Sequence, residues 1–153
     1  MATVYSTQRT NSRATPVVMN KANELGGRVR VAHGVYEASS LASGDVIEMF
    51  TLPDGARLLE GSLAHDALGG STTLSVGHAA YKNADGTAVA AAAAAYKAAA
   101  ASTSAQKVDI IATLALGSGT ELDADEDGVI VTETMGGAAG TGTIEVTIKY
   151  VVD

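Results

Sequence analysis

Residues Thr143 to Val152 read TIEVTIKYVV and alternate without a break. Ile144, Val146, Ile148, Tyr150 and Val152 share one side, while Thr143, Glu145, Thr147 and Lys149 share the other. Strict period-2 alternation with β-branched residues on the apolar side specifies an antiparallel strand with one wet face. Lys107 to Leu116 follows the same rule, with Val108, Ile110, Ala112, Leu114 and Leu116 on one side. Two half-buried strands require a second layer to cover them, and a chain of 153 residues is long enough to supply one around a single core.

Shorter segments provide that layer. Arg28 to Tyr36 reads as a strand, with Val29, Val31 and Val35 on one side, Arg28, Arg30 and Tyr36 on the other, and Gly34 as the place for a bulge. Asp45 to Leu52 is a strand of ambiguous facing, because Val46, Phe50 and Leu52 compete with Ile47 and Met49. Pro53-Asp54-Gly55 is a turn. Ala56 to Ala64 alternates poorly around Leu58, Leu59 and Leu63 and is read as buried on both faces. Thr72 to Val76 points Leu74 and Val76 inward, and Val129 to Thr134 follows the acidic turn Glu121 to Gly128. A glycine-rich loop, Gly136 to Gly142, leads into the final strand. Seven or eight short strands separated by turns describe an antiparallel β-sandwich, jelly roll or barrel.

Two stretches depart from that pattern. Thr87 to Ser102 is almost all alanine, the best helix former, with Thr87 available as a cap. It is read as one Ala-rich helical insertion at about 87–103. Residues 1–26 are polar and aperiodic and are read as an extended N-terminal arm, either a disordered terminus or a segment that orders on a partner surface, made locally basic by Arg9 and Arg13; residues 27–153 form the β body. Met1 to Asn20 lacks the apolar segment of a signal peptide, and the alanine run, broken by Asp85 and Lys97, is no membrane span.

Composition narrows the chemistry. The formal net charge is −7, which opposes nucleic-acid binding. No cysteine is present, so disulfides, thiolate catalysis and Cys-ligated zinc fall away together. Asp123, Asp125 and Asp127, followed by Gly128, match the start of a calcium loop of the D-x-D-x-D-G type. The match fails at its twelfth position, Thr134, where a bidentate Glu is needed, and its flanks read as strands. A solvated acidic turn is the simpler reading, with Ca²⁺ a weak alternative. His33, His65 and His78 are spaced without a ligand pattern. His65-Asp66 ahead of Ser71, Thr72 and Thr73 is not evidence for a triad, which is recognised by geometry. No catalytic set and no cofactor are expected.

Several pieces carry a resemblance: GRVRV from Gly27, YEASSLASGD from Tyr36, LPDGARLLEG from Leu52, AHDALG from Ala64, TTLSVG from Thr72, and the ending from Gly142. Together they resemble the capsid decoration (cement) proteins of tailed bacteriophages, small virion proteins with a jelly-roll body. The resemblance covers Gly26 to Asp153 and lies in turns and strand ends. It implies a non-enzymatic structural protein on the outer capsid surface, assembled in the host bacterial cytoplasm. Such a protein would be a homotrimer, bound to the major capsid protein and bridging its subunits in the expanded head, with neither nucleic acid nor membrane as partner. Arg9 and Arg13 on the arm are the expected capsid contacts. Competing readings are another virion part (a head fibre, tail or minor head protein), a carbohydrate-binding β-sandwich and a cupin-like metal enzyme. The absence of Trp counts against sugar stacking, and the lack of a His/carboxylate cluster counts against the enzyme.

Overall fold

In the computed structural model, which describes residues 3–152, the alternating segments become two layers. Among the described residues, ten strands follow one α-helix in chain order. The helix is α1 (Thr7–Arg13). The strands are β1 (Val29–Leu41), β2 (Val46–Leu52), β3 (Arg57–His65), β4 (Thr72–His78), β5 (Tyr81–Lys82), β6 (Ala88–Val89), β7 (Ala92–Ala101), β8 (Gln106–Ile110), β9 (Val129–Gly137) and β10 (Gly140–Val151). One sheet runs β1-β10-β3-β8 and the other β2-β9-β4-β7, each antiparallel throughout; β5 and β6 pair as a separate ribbon. The two sheets pack as a sandwich over one aliphatic cluster drawn from both, including Leu52, Leu63, Leu74, Ile110, Met135, Ile144 and Ile148. Tyr96 is the single buried aromatic residue among them, and burial pushes its hydroxyl well above the ordinary tyrosine range.

The final strand lies inside its sheet between β1 and β3, with Ile144, Val146 and Ile148 fully buried. Its apolar side faces the core as its alternation requires. β2 accounts for its own ambiguity. A register shift between Glu48 and Phe50 changes which parity points inward, so Ile47 before it and Leu52 after it are both buried. A similar shift explains Ala56 to Ala64. Lys149 pairs with Glu60 and Tyr150 with Leu58, leaving Leu59 as the extra residue, and it is exposed. The poor alternation there is a bulge, and the strand is not buried on both faces. Gly34 carries no bulge; the irregularity in β1 falls between Ala38 and Leu41, where Ser40 has φ 55°. A side chain at Gly34 would press on Met49 and Phe50 of β2.

Three further expectations are corrected. The Ala-rich stretch is not a helical insertion at 87–103. It folds as β6 and β7, with β7 forming the edge of a sheet against β4. Alanine's helix preference is below 1 kcal/mol per residue, and an isolated helix of this length is marginal in water. The ladder to β4 and the burial of Tyr96 therefore decide the outcome. Close approach is possible because β4 has Gly77 at the contact, where a Cβ would overlap the Ala92 carbonyl. The strand expected from Lys107 to Leu116 ends at Ile110. Ile111 turns to φ 58° and is itself buried, and Leu114–Leu116 form a 3-10 turn with Leu114 in solvent. Finally, the arm is not extended throughout. Ser6 caps α1, its hydroxyl accepting from the Arg9 N–H at 3.3 Å.

Candidate functional site

The structure offers no catalytic constellation among the described residues and concentrates its unusual surface on the arm and on the outer face of β1. The arm begins at a pinned base. Lys21 Nζ meets Glu121 Oε1 at 2.6 Å, and Arg57 Nη2 lies 2.8 Å from Glu121 Oε2 and 3.7 Å from Glu24 Oε1. Arg57 Nη1 also donates to the Gly119 carbonyl, and Asn23 is buried with its amide N–H donating to the Gly55 carbonyl at 3.3 Å. The Lys21 ammonium holds the Glu121 carboxyl below its ordinary range, first by hydrogen bond. Gly27 fits closely beside Val151 and the Ala22 carbonyl, where a side chain would clash. The direction in which the chain leaves the body is thereby set by both charge and packing.

Beyond Lys21 the arm folds on itself. Asn11 Nδ2 donates to Asn20 Oδ1 at 3.0 Å, Asn20 Nδ2 donates to the Gln8 carbonyl, and the Val18 N–H donates to the Asn11 carbonyl. The Arg13 guanidinium lies 4.9 Å from the Tyr5 ring centroid. No residue of α1 is buried. Val17, Val18 and Met19 are 62%, 50% and 86% exposed, a run of three apolar side chains in water. Arg9 and Arg13 form no ion pair among the described residues. The two arginines named from sequence thus have no carboxylate partner among the described residues, Arg13 lying over Tyr5, and the apolar run beside them had no signal of its own in the polar context around it.

The second unusual surface lies on β1, an edge strand. Its alternation reads correctly, but the valine side faces outward: Val29, Val31 and Val35 are 54%, 59% and 58% exposed, whereas Ala38 on the opposite parity is buried. Carboxylates flank its far end, while Val31 nearer its start pairs with Lys149. Val35 pairs with Glu145 on β10, and Glu37 accepts from the Thr143 hydroxyl at 2.7 Å. His33 sits in the same row, 3.0 Å from Thr147 Oγ1 and 3.9 Å from Glu145 Oε1.

The remaining candidates are accounted for locally. His65 Nδ1 lies 2.7 Å from the Asp66 carbonyl and its Nε2 3.3 Å from Gln106 Nε2; Thr72 bonds to the Gly69 carbonyl and Ser102, so His65, Asp66 and the hydroxyls do not converge. His78 caps the Ala79 carbonyl. Asp123 accepts from the Ala84 N–H and Asp125 from the Asp127 N–H, which ties two of the three turn carboxylates to the backbone. The structure does not assemble Asp123, Asp125 and Asp127 into a metal-ligand set, and no group of three such side chains is placed to hold an ion among the described residues. A shallow groove over Gly61, lined by Lys107, Asp109, Thr147 and Lys149, has no aromatic side chain on which a sugar could stack. No helix among the described residues is long and apolar enough to cross a membrane.

No protein-family model matches the chain, and no curated protein matches it. Solved structures do. Over 100% of both chains it is similar to a chain of the cyanophage Pam1 capsid asymmetric unit, with TM-score 0.64 and 21% identity. Over 83% of its own length and 86% of the other, it is similar to a chain of the capsid of Ralstonia phage GP4, with TM-score 0.61 and 26% identity. The chain shares the β fold of these phage capsid-associated proteins.

Proposed function

We propose that this protein is a non-enzymatic structural component of a tailed-phage virion that sits on the outer capsid surface and bridges major capsid subunits. The observation that carries this reading is the arm. Its base is pinned by Lys21, Asn23, Glu24 and Arg57, while the residues before it show three apolar and two cationic side chains to solvent. An isolated protein gains nothing by fixing the exit of an arm and leaving its apolar side uncovered; a second surface gives that arrangement its use. The similarity to capsid chains supports the virion setting. The alternation of strands between two four-stranded sheets, β1-β10-β3-β8 and β2-β9-β4-β7, supports reading the body as a jelly roll.

The charge balance is consistent with an outside position. The arm to Leu25 holds Arg9, Arg13 and Lys21 against Glu24, so an acidic body presents a basic tether. On a repeating shell many such tethers act together, and weak single contacts sum to tight retention. We assign the outer surface as its location, the major capsid protein and a homotrimer as its partners, and neither nucleic acid nor membrane.

Removing residues 1–20 and leaving the Lys21 staple tests the reading. The truncated body is expected to fold and to lose binding to expanded heads in a co-sedimentation assay. Undiminished binding would take the arm out of the mechanism.

A further inference from the structure

We propose that the valine row on β1 receives the arm of a second copy of this chain. This deepens the reading of the arm as a docking element and rests on it. Val29, Val31 and Val35, with His33 between the last two, form an outward row on an edge strand, a surface that a soluble β protein ordinarily covers or charges. The chain's own arm does not cover it, because Val17, Val18 and Met19 are themselves in water. The pinned base, which reaches the body through Glu121 and Gly55, holds that arm at its exit.

Charge selects the occupant and its direction. The arm carries three cations and one carboxylate, leaving −9 on the remainder of a chain whose total is −7. Arm and body therefore attract between copies, whereas body and body repel. Along β1 the apolar row begins at Val29 and the acidic groups, Glu145 and Glu37, gather at its far end. Along the arm the order is reversed: Arg9 and Arg13 come first and Val17, Val18 and Met19 follow. An arm that opens at its Asn11–Val18 turn and lies antiparallel to β1 would place its apolar run on Val29 and Val31 and its arginines by Glu145 and Glu37. The lengths agree. Val29 to Glu37 spans about 27 Å at strand rise. Once the turn closed by the Val18 N–H on the Asn11 carbonyl opens, Arg9 to Val18 would span roughly 23 Å, with helical rise in α1 and extended chain after it. Exchange of an arm in one direction is a heterologous contact, which closes into a ring when the rotation allows.

The chain has no cysteine, so single introduced thiols report the contact without background. Protein carrying Val18→Cys is mixed with a mass-tagged preparation carrying Val31→Cys under mild oxidant. The mixed disulfide is expected to form faster than the pairing of Val18→Cys with Leu114→Cys, an exposed control, by on the order of tenfold or more, because docking raises the local thiol concentration. Equal rates would overturn the proposal. Val31→Glu, at a solvent-facing position that leaves the core intact, is expected to abolish self-association in light scattering; unchanged association would overturn it as well. Head binding separates this inference from the one above. Loss of head binding on deleting residues 1–20, without preferential cross-linking, means that the arm serves the capsid alone and the self-contact is refuted. Preferential cross-linking with head binding intact after the deletion keeps the self-contact and refutes the arm's role on the capsid.

Discussion

Replacing Glu133 with methionine is expected to stabilise the protein, and to do so far more at neutral than at acid pH. Glu133 lies on β9 opposite Ile47 of β2 and Val76 of β4, both buried, and is itself fully buried. Neither carboxylate oxygen has a hydrogen-bond partner. Burial pushes its pKa from the ordinary 4.5 up to about 8, so at neutral pH the folded protein keeps a proton that the unfolded chain releases. The raised acid therefore works against folding: below the unfolded value it costs nothing by titration, and stability falls as pH rises from there to the folded value. The slope is about 1.4 kcal/mol per pH unit for one proton, which amounts to about 3 kcal/mol by pH 7. An unpaired buried carboxyl adds a pH-independent cost of about 1–3 kcal/mol. Methionine fills a similar volume without polar oxygens. Urea unfolding followed by circular dichroism at pH 4.5 and pH 7 should therefore show a gain for Glu133→Met that is about 3 kcal/mol larger at pH 7. A gain equal at both pH values, or a loss at pH 7, would refute the assignment of a neutral, unpaired carboxyl to this position.

Other consequences are read from the base of the arm and from the alanine strand. Arg57→Ala removes the residue that joins Glu121, Glu24 and the Gly119 carbonyl. Trypsin cleavage at Lys21 is then expected to quicken about fivefold, as for the loss of about 1 kcal/mol of local docking; an unchanged rate would show that packing at Asn23 and Gly27 suffices. The same staple has a pH limit. Glu121 sits below its ordinary 4.5, so the contact is present above that value and is lost as pH falls through the depressed one; cleavage by an acid-active protease should rise only in that window. Gly77→Ala forces β7 away from β4, because a Cβ there would overlap the Ala92 carbonyl, and should cost about 1–3 kcal/mol in urea unfolding; a neutral result would mean that β7 is not held at this distance.

The sandwich was legible wherever a strand kept one parity from end to end. β10 did so from Ile144 to Ile148, although Val151 on the other parity is also buried, and β4 placed Leu74 and Val76 inward as read. Where a bulge intervened, the same alternation gave a contradictory signal. In β2 the two competing sets of apolar residues are both partly right because the register shifts between Glu48 and Phe50, and in β3 the surplus Leu59 mimicked a strand buried on both faces. Neither bulge is marked by glycine, so composition could not reveal them. The alanine run misled for a different reason. Its local preference is weak, and the partner that decided it, β4 with Gly77, lies 15 residues earlier than Ala92 in sequence.

The site was harder to read than the fold because a strand's pattern records that two faces differ, not which one a protein buries. Val29, Val31 and Val35 share a parity, broken only by His33, as Ile144, Val146 and Ile148 do, yet one row is in water and the other in the core. The difference comes from the opposite parity. In β10 the alternate residues are Thr143, Glu145, Thr147 and Lys149, which must stay wet. In β1 they include Ala32, Gly34 and Ala38, small enough to sit under the facing sheet, where Gly34 meets Met49 and Phe50. Once the small residues are inside, the valines have only the outer face, and the fold keeps them there without any internal use. An apolar row that the core does not need is the part of the surface with most to gain from a partner, which is why the decisive contacts of this protein are sought on β1 and on the arm that the body holds out.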